Sequence, residues 1–439
     1  MNEQSAELFE KMRQQFNAAP YPNIPLENNP KDQYGLLYNH NFTTAYYLRN
    51  QRVPNTQQSV ILDAGCGSGY KSLILAEANP GAKIVGVDLS ESSIQLAKQR
   101  LQYYGVDTAE FYAVSIEELP KLGIEFDYIN CDEVLYLLPN PVVGLQAMKA
   151  VLKPDGIIRA NFHSSIQRYM YLGGQKFFGM LGLMDDAPQK DQIETVREVM
   201  KALKPSTLIK QRAWAESFET EDEKVTANYL LHGDKGWTIP EFFAALRATD
   251  LEFINMLEWR QWDLLNLFEN IEELPVSVAL SLAEKSMEEQ LHISELLHPI
   301  HRLLDLLCGH LGQAQAFIPV AEWGATEWQS AIAHLHPQIR TPIMKENLIT
   351  FLNQLKMFDI GQYVRPAGES ATIDSLMAGC LLPLMDSAQP VSALVQRWQQ
   401  LRPIHPVTMA PTQTEEAFEL IYQLLAKLED LGYVLLECV

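Results

Sequence analysis

The chain has 439 residues, 47% of them hydrophobic and 9% aromatic, with a formal net charge of −21. That mean field repels nucleic acid and anionic membrane surfaces and argues against either as a main partner, while the length supports two or three packed domains. Five scattered cysteines, at 66, 131, 308, 380 and 438, suit reduced thiols in a cytoplasmic protein, and neither a secretory h-region nor a run long enough to cross a bilayer is present.

The chain opens on an amphipathic segment, MNEQSAELFEKMRQQF, followed by PYPNIPLENNP, whose four prolines forbid a regular helix and a central strand alike. Residues 1–50 are therefore expected to form an N-terminal helical arm. Just before the first strand, Tyr34, Tyr38 and His40 in DQYGLLYNHN are candidates for a lid that folds over a ligand. From Val60 to about Phe162, β-rich runs (SVILDAG, KIVGVDLS, AEFYAVSI, FDYINCDEV, GIIRANF) alternate with helical ones (YKSLILAEA, ESSIQLAKQRLQYY, VGLQAMKAVL). Such alternation predicts right-handed βαβ units around a parallel sheet. A domain is expected over 51–263, with a helical insertion at about 164–235 that carries the aromatic stretch YMYLGGQKFFGMLG. At Gly236–Trp259 the sheet resumes, Thr238 capping a helix that Pro240 helps to begin. Residues 264–439 are expected to form a mainly helical second domain for substrate or partner contacts, with a winged-helix-like end at Ile373–Glu437. The stretch VSALVQRWQQLRP there has only two basic residues, which favours protein contacts over DNA.

The turn in ILDAGCGSGYKSL places glycines at 65, 67 and 69. A dinucleotide turn needs G-x-G-x-x-G or A, and a Walker loop needs glycine directly before its lysine, whereas here Tyr70 follows Gly69 and precedes Lys71. The spacing fits a ligand that is bulky and largely free of phosphate. Asp88, closing the next β run, can accept both hydroxyls of a ribose, and Ser115 with Ile116 fall where an adenine ring would be bracketed.

These residues, together with Cys131-Asp132-Glu133-Val134-Leu135-Tyr136 and Leu152-Lys153-Pro154-Asp155-Gly156, resemble a class I S-adenosylmethionine-dependent methyltransferase in order and spacing over about a hundred residues. The resemblance implies an α/β fold, a Rossmann-like, doubly wound, mostly parallel seven-stranded sheet, with S-adenosyl-L-methionine as cofactor. Carried over residue by residue, it makes Asp63, Gly65, Cys66, Gly67 and Gly69 the methionine-side turn, its backbone amides gripping the ligand. Asp88 with Leu89 becomes the ribose contact and Ser115 and Ile116 the adenine contacts; Tyr38 and His40 are lid candidates by their position alone, with ordinary aromatic packing as the alternative. Many family members carry aspartate where Ser115 stands.

Methyl transfer from a sulfonium asks the protein for alignment and, with a poor nucleophile, for a base. Glu133, Tyr136, Asn161 and His163 sit near expected carboxyl ends of strands, where open sheets bind ligands, and His163 leads because histidine accepts a proton near neutral pH. His292, His298, His301 and His310 with Cys308 suggest zinc, but Pro299 interrupts the helical spacing and no paired cysteines accompany them, so no metal is expected. Chain length favours a protein acceptor, a lysine nitrogen or an asparagine amide. The arrangement is similar to bacterial protein methyltransferases with appended helical and winged modules, and its size and acidity would also suit the asparagine methyltransferases of phycobiliproteins. A small aromatic or quinone-like acceptor under the Tyr169–Gly182 stretch, and a non-catalytic cofactor-binding scaffold, are the alternatives.

Overall fold

The structure is a computed structural model that describes residues 3–315, 317–365 and 371–438. The chain divides into two compact units. One comprises Met1–Asn28, Gln58–Ala76 and Ala82–Gln313, the other Asn29–Gln57, Glu77–Gly81 and Ala314–Val439.

The first unit is built on seven strands: β1 (Val60–Ala64), β2 (Lys83–Asp88), β3 (Glu110–Ala113), β4 (Phe126–Cys131), β5 (Leu152–His163), β6 (Leu251–Met256) and β7 (Leu303–His310), in the spatial order β3-β2-β1-β4-β5-β7-β6. Pairings among β1 to β5 are parallel, and β7 runs antiparallel to both β5 and β6. This is the doubly wound, mostly parallel sheet expected, with its switch point between β1 and β4. Ile61, Leu62, Ile84, Val85, Ile129 and Ile158 are fully buried, as strands covered by helices on both faces require. On β5 the period of two sets Ile158, Ala160 and Phe162 in the apolar core and leaves Arg159, Asn161 and His163, also buried, on the other face.

Helix starts follow local chemistry. The Ser90 hydroxyl accepts the Ser93 amide to cap Glu91–Tyr103, Asn140 caps Pro141–Ala150, and Thr238 with Glu241 forms a capping box on Ile239–Ala248. The insertion forms helices at Tyr169–Met180, Lys190–Ala202, Leu208–Ala213 and Asp222–Tyr229 around a separate core of Phe178, Ile193, Val196, Met200, Phe218 and Tyr229. Gly174 lets Tyr229 approach, since a β-carbon there would stand 2.9 Å from its ring. The aromatic stretch thus supplies core side chains as well as surface, with Tyr169 and Met180 exposed.

Two expected boundaries move. The unit built on the sheet extends to Gln313 instead of ending at 263, because β7 is drawn from 303–310 and fills the slot between β5 and β6. The arm expected over 1–50 also divides: the helix Glu3–Ala18 and the chain to Asn28 belong with the sheet, whereas Asn29–Gln57 belongs to the second unit.

The second unit packs helices Tyr34–Asn39, Phe42–Asn50, Pro342–Asn353, Ser375–Leu381, Val391–Leu401 and Thr414–Asp430 with a three-stranded antiparallel sheet. Its strands are β8 (Ala331–Leu335), β11 (Gln389–Pro390) and β12 (Val434–Cys438), in the order β11-β8-β12, while β9 (Phe358–Asp359) and β10 (Thr372–Ile373) form a separate pair. Its core is aromatic-rich, with Trp328, Phe358, Trp398 and Tyr433 buried. Of the segment expected to end in a winged module, β12 pairs with a strand drawn from 331–335, outside that segment.

Candidate active site

The glycine turn joins β1 to the helix Tyr70–Ala78, and each glycine is required by a different neighbour. All three have positive φ, +85° at Gly65, +48° at Gly67 and +81° at Gly69. A β-carbon would stand 2.4 Å from Val134 at Gly65, 2.1 Å from the Tyr21 carbonyl oxygen at Gly67, and 2.6 Å from Ala97 at Gly69. Only glycine combines that conformation with those approaches.

Every amide of the turn is already engaged. Gly65 and Cys66 donate to the Val87 carbonyl, Ser68 to Tyr21, and Gly69 to Cys66. Gly67 donates to Asp88 Oδ2 at 3.0 Å. These internal bonds differ from the expectation that the turn amides face the ligand.

Asp88 is half-buried, and burial pushes its carboxyl above the usual range, opposed by the amides of Ser90 and Gly67. Its Oδ1 accepts the Ser90 amide at 2.8 Å and its Oδ2 the Gly67 amide at 3.0 Å, with the Leu89 amide adding to them, and a carboxylate's lone pairs are enough to take ribose hydroxyls as well. Leu89 follows it, half-buried. Asp63 lies beneath the turn, 2% exposed, with Oδ2 accepting the Ser72 hydroxyl at 2.6 Å and Oδ1 the Asn130 side-chain amide at 3.2 Å. Burial pushes its carboxyl up to about 6. Asp63 thus braces the turn from inside. The Cys66 side chain packs into a small core with Leu73, Ile94 and Phe111. Ser115 caps the helical turn Ile116–Leu122 by accepting the Glu117 amide, and Ile116 is buried in the main core.

Tyr38 and His40 do not form the expected lid. Tyr38 is buried in the second unit, stacked against His336 and donating to the Gly432 carbonyl at 3.1 Å, and His40 is 1% exposed with Nδ1 against the Leu36 carbonyl. Their apolar surroundings within that unit absorb both. The residues that do lie on the turn come from the proline-rich stretch Pro20–Pro30. Ser68 Oγ donates to the Pro22 carbonyl at 2.7 Å, and the buried Arg100 donates to the carbonyls of Ser68, Ile24 and Pro25.

The four candidate catalytic residues come together at the carboxyl ends of β4 and β5. Tyr136 stacks on His163 with ring centroids 3.9 Å apart. Asn161 accepts the Glu133 amide at 2.8 Å and donates to Asp132 at 2.6 Å. Glu133, at φ +63°, sits in a backbone conformation that non-glycine residues seldom adopt. The loop also adjoins the glycine turn, with Val134 against Gly65 and the Lys71 ammonium on Asp132.

Four partners not evident in the sequence complete the cluster, Asp234, Gln175, Arg168 and Arg302. His163 Nδ1 lies 2.7 Å from Asp234 Oδ1, and Asp234 is also held by Gln175 at 2.7 Å and Arg168 at 3.2 Å. Burial pushes the Asp234 carboxyl up, and the bond from His163 with the charges around it outweighs this and holds it low. An ionised Asp234 fixes the tautomer: Nδ1 carries the proton and Nε2 bears the lone pair. Burial chiefly, with Arg168 and Arg302 adding to it, lowers the His163 pKa against the opposing pull of Asp234, so the ring is neutral near pH 7. Nε2 accepts from Arg302 Nη1 at 3.1 Å, and Arg302 also pairs with Glu133.

Of the residues considered for zinc, His298 is exposed and the others meet different neighbours. His292 faces Glu295, His301 stacks on Trp262, His310 meets the Leu152 carbonyl, and Cys308 is buried in the sheet. Among the described residues no group of three or more histidine, cysteine or acidic side chains is poised to hold a metal. No described helix is long and apolar enough to cross a membrane.

The fold is a doubly wound α/β sheet with the glycine turn at its switch point. A methyltransferase-domain family model matches residues 55–225. An uncharacterised protein of Synechococcus is 26% identical over 387 residues, covering 87% of each chain, and a ubiquinone biosynthesis O-methyltransferase of Actinobacillus pleuropneumoniae is 31% identical over 30% of this chain and 58% of its own. PKMT2 from Rickettsia typhi, solved in complex with AdoHcy, superposes with a TM-score of 0.58 at 18% identity, covering 90% of this chain and 75% of its own. Residues 55–225 form a methyltransferase domain on a class I fold, and its cofactor is S-adenosyl-L-methionine.

Proposed function

We propose that this enzyme methylates a protein side-chain nitrogen, a lysine amine or an asparagine amide, with His163 as the base. The observation that carries the reading is the 2.7 Å bond from His163 Nδ1 to the buried Asp234 side chain, which puts the proton on Nδ1 and leaves the lone pair on Nε2. When bound, S-adenosylmethionine supplies an electrophilic methyl carbon on a sulfonium leaving group. Asp88 binds the ribose hydroxyls, and Asp63 and the glycines hold the turn in shape. The acceptor's nitrogen lone pair forms the new bond to carbon as the carbon–sulfur pair returns to sulfur, and Nε2 takes the acceptor's proton. Asp234 then faces an imidazolium, which its ionised carboxylate stabilises.

A protein acceptor is favoured by the second unit, which has a core of its own and is not needed to hold a nucleoside. A small phenolic acceptor is a second reading, favoured by the similarity to the ubiquinone biosynthesis O-methyltransferase, though that alignment covers only 30% of the chain. Incubation with methyl-labelled cofactor and a cell extract, followed by separation of macromolecules from metabolites, tests the choice. Label in protein supports the first reading, label in the extractable fraction the second.

A further inference from the structure

One chain of contacts runs outward from the interior: Asp234, His163, Arg302, Glu133. Its inner members are almost fully buried, the side chains of Asp234 and His163 being 0% and 2% exposed. Arg302, the next member, is half-open, its side chain 47% exposed, and the Glu133 side chain beside it is 20% exposed. The lone pair the reaction needs is therefore occupied by a guanidinium N–H in the free enzyme. A neutral imidazole can accept only one such bond at Nε2, so an acceptor cannot reach the base until that contact is released.

We propose that Arg302 is a positioning residue that keeps His163 closed in the free enzyme and yields Nε2 to the acceptor's N–H or O–H group when the acceptor enters. This rests on the reading of His163 as base. The geometry makes the exchange local. Arg302 directly precedes β7 and its carbonyl is fixed by the Ser164 amide at 2.9 Å, so the backbone stays while the long side chain moves. The guanidinium has five donors, and the one on Glu133 can be kept while Nη1 leaves His163. Glu133 is set for that role by a backbone conformation that costs energy and is pinned by Asn161, a strained position of the kind that marks functional sites. The charged or titratable groups facing the imidazole are Asp234, Arg168, Arg302 and the stacked Tyr136, and of these Arg302 alone is substantially exposed.

The test uses full-length enzyme without acceptor and reads His163 itself. Carbethoxylation of His163 by diethyl pyrocarbonate, followed by peptide mass spectrometry, should be slow in the wild type. It should be faster by about tenfold or more in Arg302→Met and intermediate in Arg302→Lys, while Glu133→Gln, which frees the guanidinium without deleting it, should also accelerate the reaction. Titration of the His163 ring by NMR should move its midpoint upward in Arg302→Met, since removing a neighbouring cation favours the imidazolium. Binding of S-adenosylhomocysteine serves as the check on folding. A modification rate in Arg302→Met within about twofold of wild type, with an unmoved midpoint, overturns the proposal. Failure of the underlying reading looks different: His163→Ala would methylate normally while these modification rates stayed as predicted.

Discussion

The carbonyl oxygen of Tyr21 rests against Gly67 so closely that a β-carbon at residue 67 would stand 2.1 Å from it, and the neighbouring Ser68 amide donates to the same oxygen at 2.9 Å. The segment before the first strand thereby packs directly on the glycine turn. Replacing Gly67 by alanine adds a positive-φ penalty of about 1 kcal/mol to the clash and must displace one partner. Hydrogen exchange at the Ser68 amide should accelerate in Gly67→Ala, and affinity for S-adenosylhomocysteine should fall. Unchanged protection at Ser68 would show that the contact with Tyr21 does not hold the turn.

Asp88 is expected to carry the ribose. Asp88→Ala removes two charge-assisted acceptors and also leaves the Gly67 and Ser90 amides without their partner. Calorimetry with S-adenosylhomocysteine should register a loss of affinity of about ten- to a hundredfold, the equivalent of about 1.5–3 kcal/mol.

Asp63 is expected to behave as a brace. Its carboxyl is pushed up to about 6 from 3.8, so the folded state holds its proton more tightly than the unfolded chain does. A raised carboxyl contributes stability that is complete below the unfolded value and is lost as pH climbs through the folded one. The melting temperature of Asp63→Asn relative to wild type should therefore improve between pH 4 and pH 7. Asp63→Ala, which strands Ser72 and Asn130, should be less stable by about 1–3 kcal/mol. Cofactor affinity in Asp63→Asn should stay within about threefold, and a larger loss would mean direct contact with the ligand.

His163 titrates with the opposite sign. Its folded pKa lies below the ordinary 6.5, so the unfolded chain binds the proton first and the stability contributed by the neutral ring is lost as pH falls below that value. Activity should follow the same direction: kcat/KM, which reports the free enzyme, should fall on an acid limb centred below 6.5. The limb of kcat should lie at higher pH, because the acceptor complex has released Arg302 from Nε2. Coincident limbs would contradict the exchange of partners.

Much of the site was legible because its signals are local. The three glycines and Asp88 lie within one βα crossover, and Thr238 and Glu241 cap their helix three residues apart. The rest depends on distant meetings. Asp234 and Arg302 reach His163 across 71 and 139 positions of sequence, and neither carries a motif. The strand Leu303–His310 was read as part of a helical domain because a short, continuously apolar run has the same appearance in a buried strand as in a buried helix. Tyr38 and His40 misled for a related reason. Aromatic residues just before a first strand look alike whether they close over a ligand or, as here, pack in a neighbouring core.

The central claim is that His163, oriented by Asp234, removes the acceptor's proton during methyl transfer. The most direct measurement is the rate at which labelled methyl enters the protein fraction of a cell extract, compared between wild type and His163→Ala after both have been shown to bind S-adenosylhomocysteine equally. A fall of about a hundredfold or more with cofactor affinity intact is the predicted result, within the range that a positioned base contributes. Transfer at the wild-type rate by His163→Ala would contradict it.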